Sequence, residues 1–263
     1  MSIRADIQPD HIVKEGDCLA LLEQVPSGTI DLVYMDPPFS TGRTQSGREG
    51  NAFADSWPST ADWVDFMRPR LEAALNTLSI NGAILLHCDW RTSHHVRLML
   101  DEFLGEDRFQ NHLVWQYGLG GSSPRRFARK HDDILYYSLS SSWYFDPPMV
   151  PATSNRMKGM LKKATDVLDV PSINNMARER TGWPTQKPLA LLELLVRACC
   201  PPGGRVLDPM CGSGTTLVAA ANTGRRSLGF DRLPDALSIA RARLNELPAH
   251  SDQVAAGLRG AVV

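Results

Sequence analysis

The sequence predicts an α/β protein: a mostly parallel sheet with helices on both faces. Short apolar runs alternate with helical patterns along most of the chain, as in a parallel sheet covered by helices. A tight Gly212-x-Gly214 turn follows one apolar run and precedes a helical one. The 263 residues are 43% hydrophobic and 22% charged, ordinary globular values, and suffice for one large domain or a domain with a small appendage. A core of that size needs neither disulfides nor metals.

The apolar runs place strands at Ile30–Met35, Ala83–His87, Leu113–Trp115, Ile134–Tyr137, Arg205–Leu207 and Ser227–Phe230. Helices are expected at Leu19–Gln24, Ala61–Leu78, His94–Phe103, Leu189–Ala198, Thr216–Asn222 and Pro234–Leu247. Thr60 is the expected N-cap of the second, with Asp62 in its first turn and Asn81-Gly82 beyond its end. Pro188 opens the fourth and the Pro201-Pro202-Gly203-Gly204 run closes it. Two stretches break the alternation. Residues 40–59 are polar and glycine-rich and follow a strand directly, as an active-site loop would. Residues 140–184 are irregular, with prolines at 147, 148, 151 and 171 and a short basic helix expected around Lys158–Lys163.

Several classes are excluded. No run of about 18 apolar residues exists, so no membrane span is expected, and the opening residues lack the apolar stretch of a signal peptide. Five cysteines with no CxxC pair read as reduced thiols, consistent with a cytoplasmic protein. His87, His94 and His95 have no ligand spacing to complete a metal site, so no metal is expected and packing or exposure is the favoured reading. A formal net charge of −1 argues weakly against a nucleic-acid partner until its distribution is read.

Residues 205–216, RVLDPMCGSGTT, put a strand end at Asp208 ahead of the glycine turn, with Thr215 opening a helix. That arrangement presents free backbone N–H groups to a nucleotide-like cofactor. There is no Gly-Lys-Ser/Thr, which excludes a phosphate-cradling ATPase loop. Leu217 stands where a dinucleotide loop has its third glycine, while Asp231 ends the next strand, placed to accept from two ribose hydroxyls. An adenosyl ribose without pyrophosphate fits better than a dinucleotide; the alternative for Asp231 is a helix cap.

Residues 30–39, IDLVYMDPPF, form an apolar strand ending in Asp36-Pro37-Pro38-Phe39. Consecutive prolines remove two N–H donors and hold the chain extended, leaving carbonyls to face a ligand. An exocyclic amine on a base is a poor nucleophile because its lone pair is delocalised. Accepting its two N–H groups at the Asp36 carboxylate and the Pro37 carbonyl would draw that pair out of conjugation, with Phe39 stacked on the base. The second Asp-Pro-Pro, at Asp146, lacks the aromatic and reads as a turn.

DPPF and DPMCGSGTT, with TQKP between them, resemble the S-adenosylmethionine-dependent amino-methyltransferases of DNA. DPPF precedes the glycine loop, with 172 residues separating Asp36 from Asp208, and that permuted order resembles the β group. Further family-like segments are EGDCLALL at 15–22, HCDW at 87–90, NHLVWQY at 111–117, RRFARKHDDILYYS at 125–138 and ARERTGWPTQKP at 177–188. The resemblance implies a Rossmann-like fold in circularly permuted methyltransferase order and S-adenosyl-L-methionine as cofactor. It divides the chain into a target-amine half (1–139), a target-recognition insertion (140–182) and a cofactor half (183–263). Asp36, Pro37, Pro38 and Phe39 would form the target-amine site, with Asp36 also against the cofactor. Asp208, Cys211, Gly212, Gly214 and Thr215 would form the loop under the methionine part, with Asp231 on the ribose. Asp17 and Cys18 would lie near the adenine, and Thr185, Gln186 and Lys187 would cap the methionine end. From the residues alone, Asp17 reads equally as a helix cap and Lys187 as a solvated charge. DPPF rather than a serine-first SPPY favours N6 of adenine over N4 of cytosine. A catalytically silent nucleic-acid-binding subunit is the other class, and it predicts a damaged DPPF or glycine loop; both are intact.

The charge distribution fits a nucleic-acid partner. Between residues 121 and 163 lie Arg125, Arg126, Arg129, Lys130, Arg156, Lys158, Lys162 and Lys163 against three acids, a net +5 that leaves −6 on the remainder. A basic strip on an acidic body is the footprint of a phosphate-contacting edge. Double-stranded DNA is the expected partner, its target base flipped out to reach the site. Arg43 and Arg48, in the 40–59 loop, are the candidates to enter the vacated space. The insertion is short, so sequence recognition calls for a second subunit, as in a homodimer, or for other loops.

Overall fold

The computed structural model describes residues 10–46, 52–118, 122–152, 154–174 and 176–247. In chain order the elements are β1 (His11–Glu15), α1 (Cys18–Leu22), β2 (Ile30–Met35), β3 (Arg43–Ser46), β4 (Ala52–Asp55), α2 (Thr60–Thr77) and β5 (Leu78–Cys88). They continue as α3 (Ser93–Leu104), β6 (Phe109–Gln116), β7 (His131–Ser138), β8 (Met149–Pro151), β9 (Leu161–Lys163) and β10 (Val167–Asp169). The chain closes with α4 (Leu189–Cys199), β11 (Arg205–Asp208), α5 (Thr215–Asn222), β12 (Arg226–Asp231) and α6 (Pro234–Asn245).

An eight-stranded sheet runs β1-β12-β11-β2-β5-β7-β6-β10. Only β7 is antiparallel to its neighbours; the other pairings are parallel. Both faces are covered, so the central strands are apolar on both sides. Val33, Met35, Ile84, Leu86 and Leu207 pack under α2 and α3. Leu32, Tyr34, Ala83, Leu85 and Val206 face α4 and α5. The period-2 alternation of β2 thus sends one set of side chains into each core. The expected fold class holds. No helix among the described residues is long and apolar enough to cross a membrane.

Several local expectations change. Ser59, not Thr60, caps α2: its hydroxyl accepts from the Asp62 N–H at 3.2 Å and donates to the Asp62 carboxylate at 2.7 Å. Asn81-Gly82 is not a turn after that helix but lies inside β5, where the register against β2 shifts. A Cβ on Gly82 would sit 2.9 Å from the Ser79 carbonyl oxygen, so the irregularity needs a glycine. The basic helix expected at 158–163 is replaced by a 3-10 turn, Asn155–Met157, and the β8–β9 hairpin. Gly159, at φ +82°, turns the chain in a conformation no α-helix continues through. The polar 40–59 stretch contains the β3–β4 hairpin. Residues 140–182 return to the main sheet through β10, which pairs with β6.

Leu71 on α2 is fully buried between the helix and the sheet. Leu71→Ala is expected to lower stability by about 2–5 kcal/mol, read in urea as a lower midpoint with unchanged slope.

Candidate active site

The sheet has a topological switch point between β11 and β2. From β2 the chain moves through α2 to β5 on one side, and from β11 through α5 to β12 on the other. Crevices outside the carboxyl ends of such strand pairs are where ligands bind in open α/β sheets. Asp36 follows the end of β2 and Asp208 ends β11. Both line a cavity of about 200 Å³.

The same cavity gathers most of the residues picked from the sequence. Asp17, Cys18, Asp36, Pro37, Pro38, Phe39, Thr185, Gln186, Lys187, Asp208, Cys211, Gly212, Thr215 and Asp231 all line it. Gly214 stands behind the wall. It enters α5 at φ +75°, and a Cβ there would lie 2.7 Å from Cβ of Ala240, so its absent side chain allows α6 to pack on the turn. Gly212 is left-handed too, at φ +50°, with the Trp183 ring nitrogen 3.1 Å from where its Cβ would be.

Three carboxylates with different neighbours define the electrostatics. Lys187 Nζ donates to both oxygens of Asp36, at 2.9 and 2.7 Å, and lies 5.0 Å from the Phe39 ring centroid. Lys187 is therefore not the solvated charge that its sequence position allowed: it is buried at Asp36. Asp231 accepts from the backbone N–H groups of Gly212 (2.9 Å) and Leu233 (3.0 Å), while burial pushes its carboxyl upward. Asp231 thus joins the glycine turn to the entry of α6. Asp208 is the least compensated. Burial pushes its carboxyl up to about 7, against hydrogen bonds from Thr216 and the Met210 N–H, and the nearby Asp36 and Asp231 charges add to the rise.

The other picks are held in place by their own partners. Asp17 caps α1 through the Leu19 N–H (3.0 Å) and pairs with Arg70 (2.8 Å). Burial raises its carboxyl, but the Arg70 and backbone hydrogen bonds outweigh that and hold it low. Gln186 accepts from the Thr181 N–H and hydroxyl and donates to the Glu179 carbonyl, closing the loop ahead of α4. Thr185 sits at φ +60° on the cavity wall. Cys18 and Cys211 are buried, and burial pushes their thiols upward, as in packed rather than nucleophilic cysteines.

Sequence reading missed the supports of the Asp-Pro-Pro-Phe segment. Trp63, fully buried on α2, donates to the Pro38 carbonyl at 2.8 Å. Asp55 accepts from the Ser40 N–H and Thr41 hydroxyl, at 2.7 and 2.6 Å, and fixes Ser40 at φ +56°. Behind Phe39 lies a buried His87 ring, stacked at 5.8 Å and 25°, which bonds Tyr34 (2.8 Å) and Asp132 (3.2 Å). Tyr117 donates to the same Asp132 at 3.0 Å. The packing reading of His87 holds, and no metal-binding group of His, Cys, Asp and Glu is present among the described residues. The segments carrying His87 and Asp132 were visible in the sequence; their meeting across β5 and β7 was not.

The basic residues divide between two structures. Arg125, Arg126, Arg129 and Lys130 lie in the loop between β6 and β7; Arg156, Lys158, Lys162 and Lys163 lie on the β8–β9 hairpin and its turn. Arg43 is exposed on β3, and Arg48 lies outside the described residues.

This geometry can be set beside known proteins. A family model described as DNA methylase, for N6 and N4 methyltransferases, matches residues 30–242. The chain belongs to that family. The type II methyltransferase M.ScaI of Streptomyces caespitosus is 30% identical, over 89% of this chain and 81% of that protein. The DNA adenine methyltransferase YhdJ of Escherichia coli K12 is 24% identical, over 88% and 81%. Among solved structures, a complex of M1.HpyAVI with S-adenosylmethionine aligns at TM-score 0.64 and 20% identity, covering 89% of this chain and 99% of that one. The PvuII methyltransferase, cytosine-N4-specific, aligns at 0.68 and 17%, covering 92% and 90%. These two likenesses support the fold.

A carboxyl whose folded pKa is raised is disfavoured once ionised. The Asp208 contribution to stability is therefore present below its unfolded pKa of about 4 and is lost as pH rises through about 7. Urea denaturation of the ligand-free protein is expected to show that decline between those values, and Asp208→Asn to flatten it.

Proposed function

We propose that this DNA methyltransferase transfers the methyl group of S-adenosylmethionine to N6 of an adenine flipped out of duplex DNA. The observation that carries the reading is that Asp36 and Phe39, at the end of β2, face one cavity with Asp208 and Asp231, at the ends of β11 and β12. The residues present fit the cofactor. Two carboxylates raised by desolvation, the buried Asp208 and the half-buried Asp231, favour a cationic ligand, and the apolar Met210, Leu233 and Phe66 offer contacts to an adenine ring. When bound, S-adenosylmethionine supplies a methyl already activated on a sulfonium, so no strong base or metal is required.

The chain's own work is positioning. Asp36 and the Pro37 carbonyl accept the two N–H groups of the target amine and localise its lone pair, and Asp36 stabilises the positive charge that develops on nitrogen. Among the described residues no group donates to the Pro37 carbonyl, whereas the Pro38 carbonyl is taken by Trp63. Phe39, backed by His87, stacks on the base. Lys187, paired with Asp36, would hold the carboxylate of the bound cofactor, while Asp36 keeps acceptor capacity for the amine. Of the residues lining the cavity, Asp17 and Cys18 would hold the adenine end in this reading, and Thr185, Gln186 and Lys187 the methionine end. Such a site gains rate chiefly by holding nitrogen, methyl carbon and sulfur in line.

The basic residues of the β6–β7 loop and of the β8–β9 hairpin contact phosphates. Segment 140–182 carries target recognition, completed by a second subunit or by other loops. Adenine is favoured by DPPF and by the adenine specificity named for YhdJ. The second reading is N4 of cytosine, because the matching family covers N6 and N4 enzymes alike.

Nucleoside mass spectrometry of DNA from cells expressing the protein is expected to give N6-methyladenine; N4-methylcytosine in its place would establish the second reading. Asp36→Ala should lower methyl transfer about 100-fold or more while calorimetry finds cofactor binding largely retained. Full activity in that variant would overturn the mechanism.

A further inference from the structure

The loop joining β6 to β7 holds an unexplained aromatic. Cys88, at the end of β5, pairs with Asp133 near the start of β7. The residues just before β7 therefore open at the same sheet edge as Asp36, since β2 and β5 are parallel. The loop is pinned at its base by the Tyr117 N–H donating to the Lys130 carbonyl at 2.9 Å. It is braced from the β5 side by Trp90: the Arg129 guanidinium lies 3.4 Å from that ring's centroid and Arg91 lies 4.8 Å from it. Arg91 is itself paired with Asp89. Burial pushes the Arg129 guanidinium down, and the like charges of Arg126 and Arg91 add to that, so these cations are crowded together.

In the middle of this basic cluster stands Phe127, 97% exposed, between Arg126 and Arg129 in sequence. Leaving a phenyl ring in water forgoes the favourable burial of its apolar surface. The surrounding charge selects the partner: a polyanion that also offers an apolar interior, which is the stacked duplex. Withdrawing a base from that stack leaves a gap and costs its stacking and pairing. An apolar side chain inserted between base steps offsets that cost, while flanking cations hold the phosphates.

We propose that Phe127 is the wedge that enters the duplex when the target base is withdrawn, with Arg125, Arg126 and Arg129 on the adjoining phosphates. This rests on the reading of the cavity as the site of a flipped-out base. It moves the wedge from the arginines of the 40–59 segment to a ring whose chemistry matches the gap. Arg129, fixed against Trp90, sets where the loop tip stands relative to the β5 end and hence to Phe39.

The test compares wild type, Phe127→Ala and Phe127→Leu on two duplexes carrying the site methylated in expressing cells. In one duplex the target is paired; in the other it faces an abasic position. On paired DNA, Phe127→Ala is expected to lose about 10–100-fold in kcat/KM, the range a few kcal/mol of unstacking sets. On abasic-opposed DNA it should recover to within about threefold of wild type, with Phe127→Leu close to wild type on both. A second readout needs no turnover: with 2-aminopurine at the target position, the fluorescence rise on binding should be lost in Phe127→Ala on paired DNA alone. Equal loss on both duplexes would make Phe127 an ordinary contact and overturn the wedge, as would no loss on paired DNA. Wild type inactive on both duplexes would instead overturn the reading of the cavity.

Discussion

The parallel pairing of β2 with β11 is the constraint on which the rest depends. Leu32 and Val33 lie opposite Val206 and Leu207, so both strands end at the same level of the sheet edge. The two segments that carry the chemistry are far apart in the chain, yet each has only to leave its strand to enter the crevice. Their connections then depart in opposite directions, which keeps either helix from covering the cleft. Both cores serve this pairing: one side is sealed by α2 and α3, the other by α4 and α5.

Charge balance in the cleft follows from that convergence. Asp36, Asp208 and Asp231 are brought to one cavity, and each is treated differently by its neighbours. Lys187 neutralises Asp36, backbone amides serve Asp231, and Asp208 is left largely to burial, its carboxyl raised to about 7. A cationic ligand would relieve that burial cost, which couples occupancy of the cavity to stability. The Asp36–Lys187 pair holds that carboxylate in place, and each of its oxygens keeps acceptor capacity beyond its one contact with the ammonium. Removing either partner alone would leave a mostly buried charge without its counter-ion.

Much of the framework was legible because its signals are local. The strand preceding Asp36 is apolar at every position but Asp31, and Gly212-x-Gly214 requires left-handed backbone that glycine supplies without strain. Errors arose where local signals conflict with packing. Asn81-Gly82 has turn chemistry but is drawn into β5, because that strand is anchored on both sides by β2 and β7. The edge strands β1 and β10, and the small hairpins, are short and weakly apolar, so only their hydrogen-bonded partners define them.

By itself the sequence determined the fold class, the two segments at the switch point and the family, because strand apolarity, glycine conformation and the proline pair act within a few residues. Only the tertiary structure decided how the site is supported. Trp63 on the Pro38 carbonyl, Asp55 on the following loop, His87 behind Phe39 and Lys187 on Asp36 are partnerships over 15 to 151 residues of chain. Their geometry depends on which strands become neighbours, and that is set by the collective burial of both cores rather than by any local pattern.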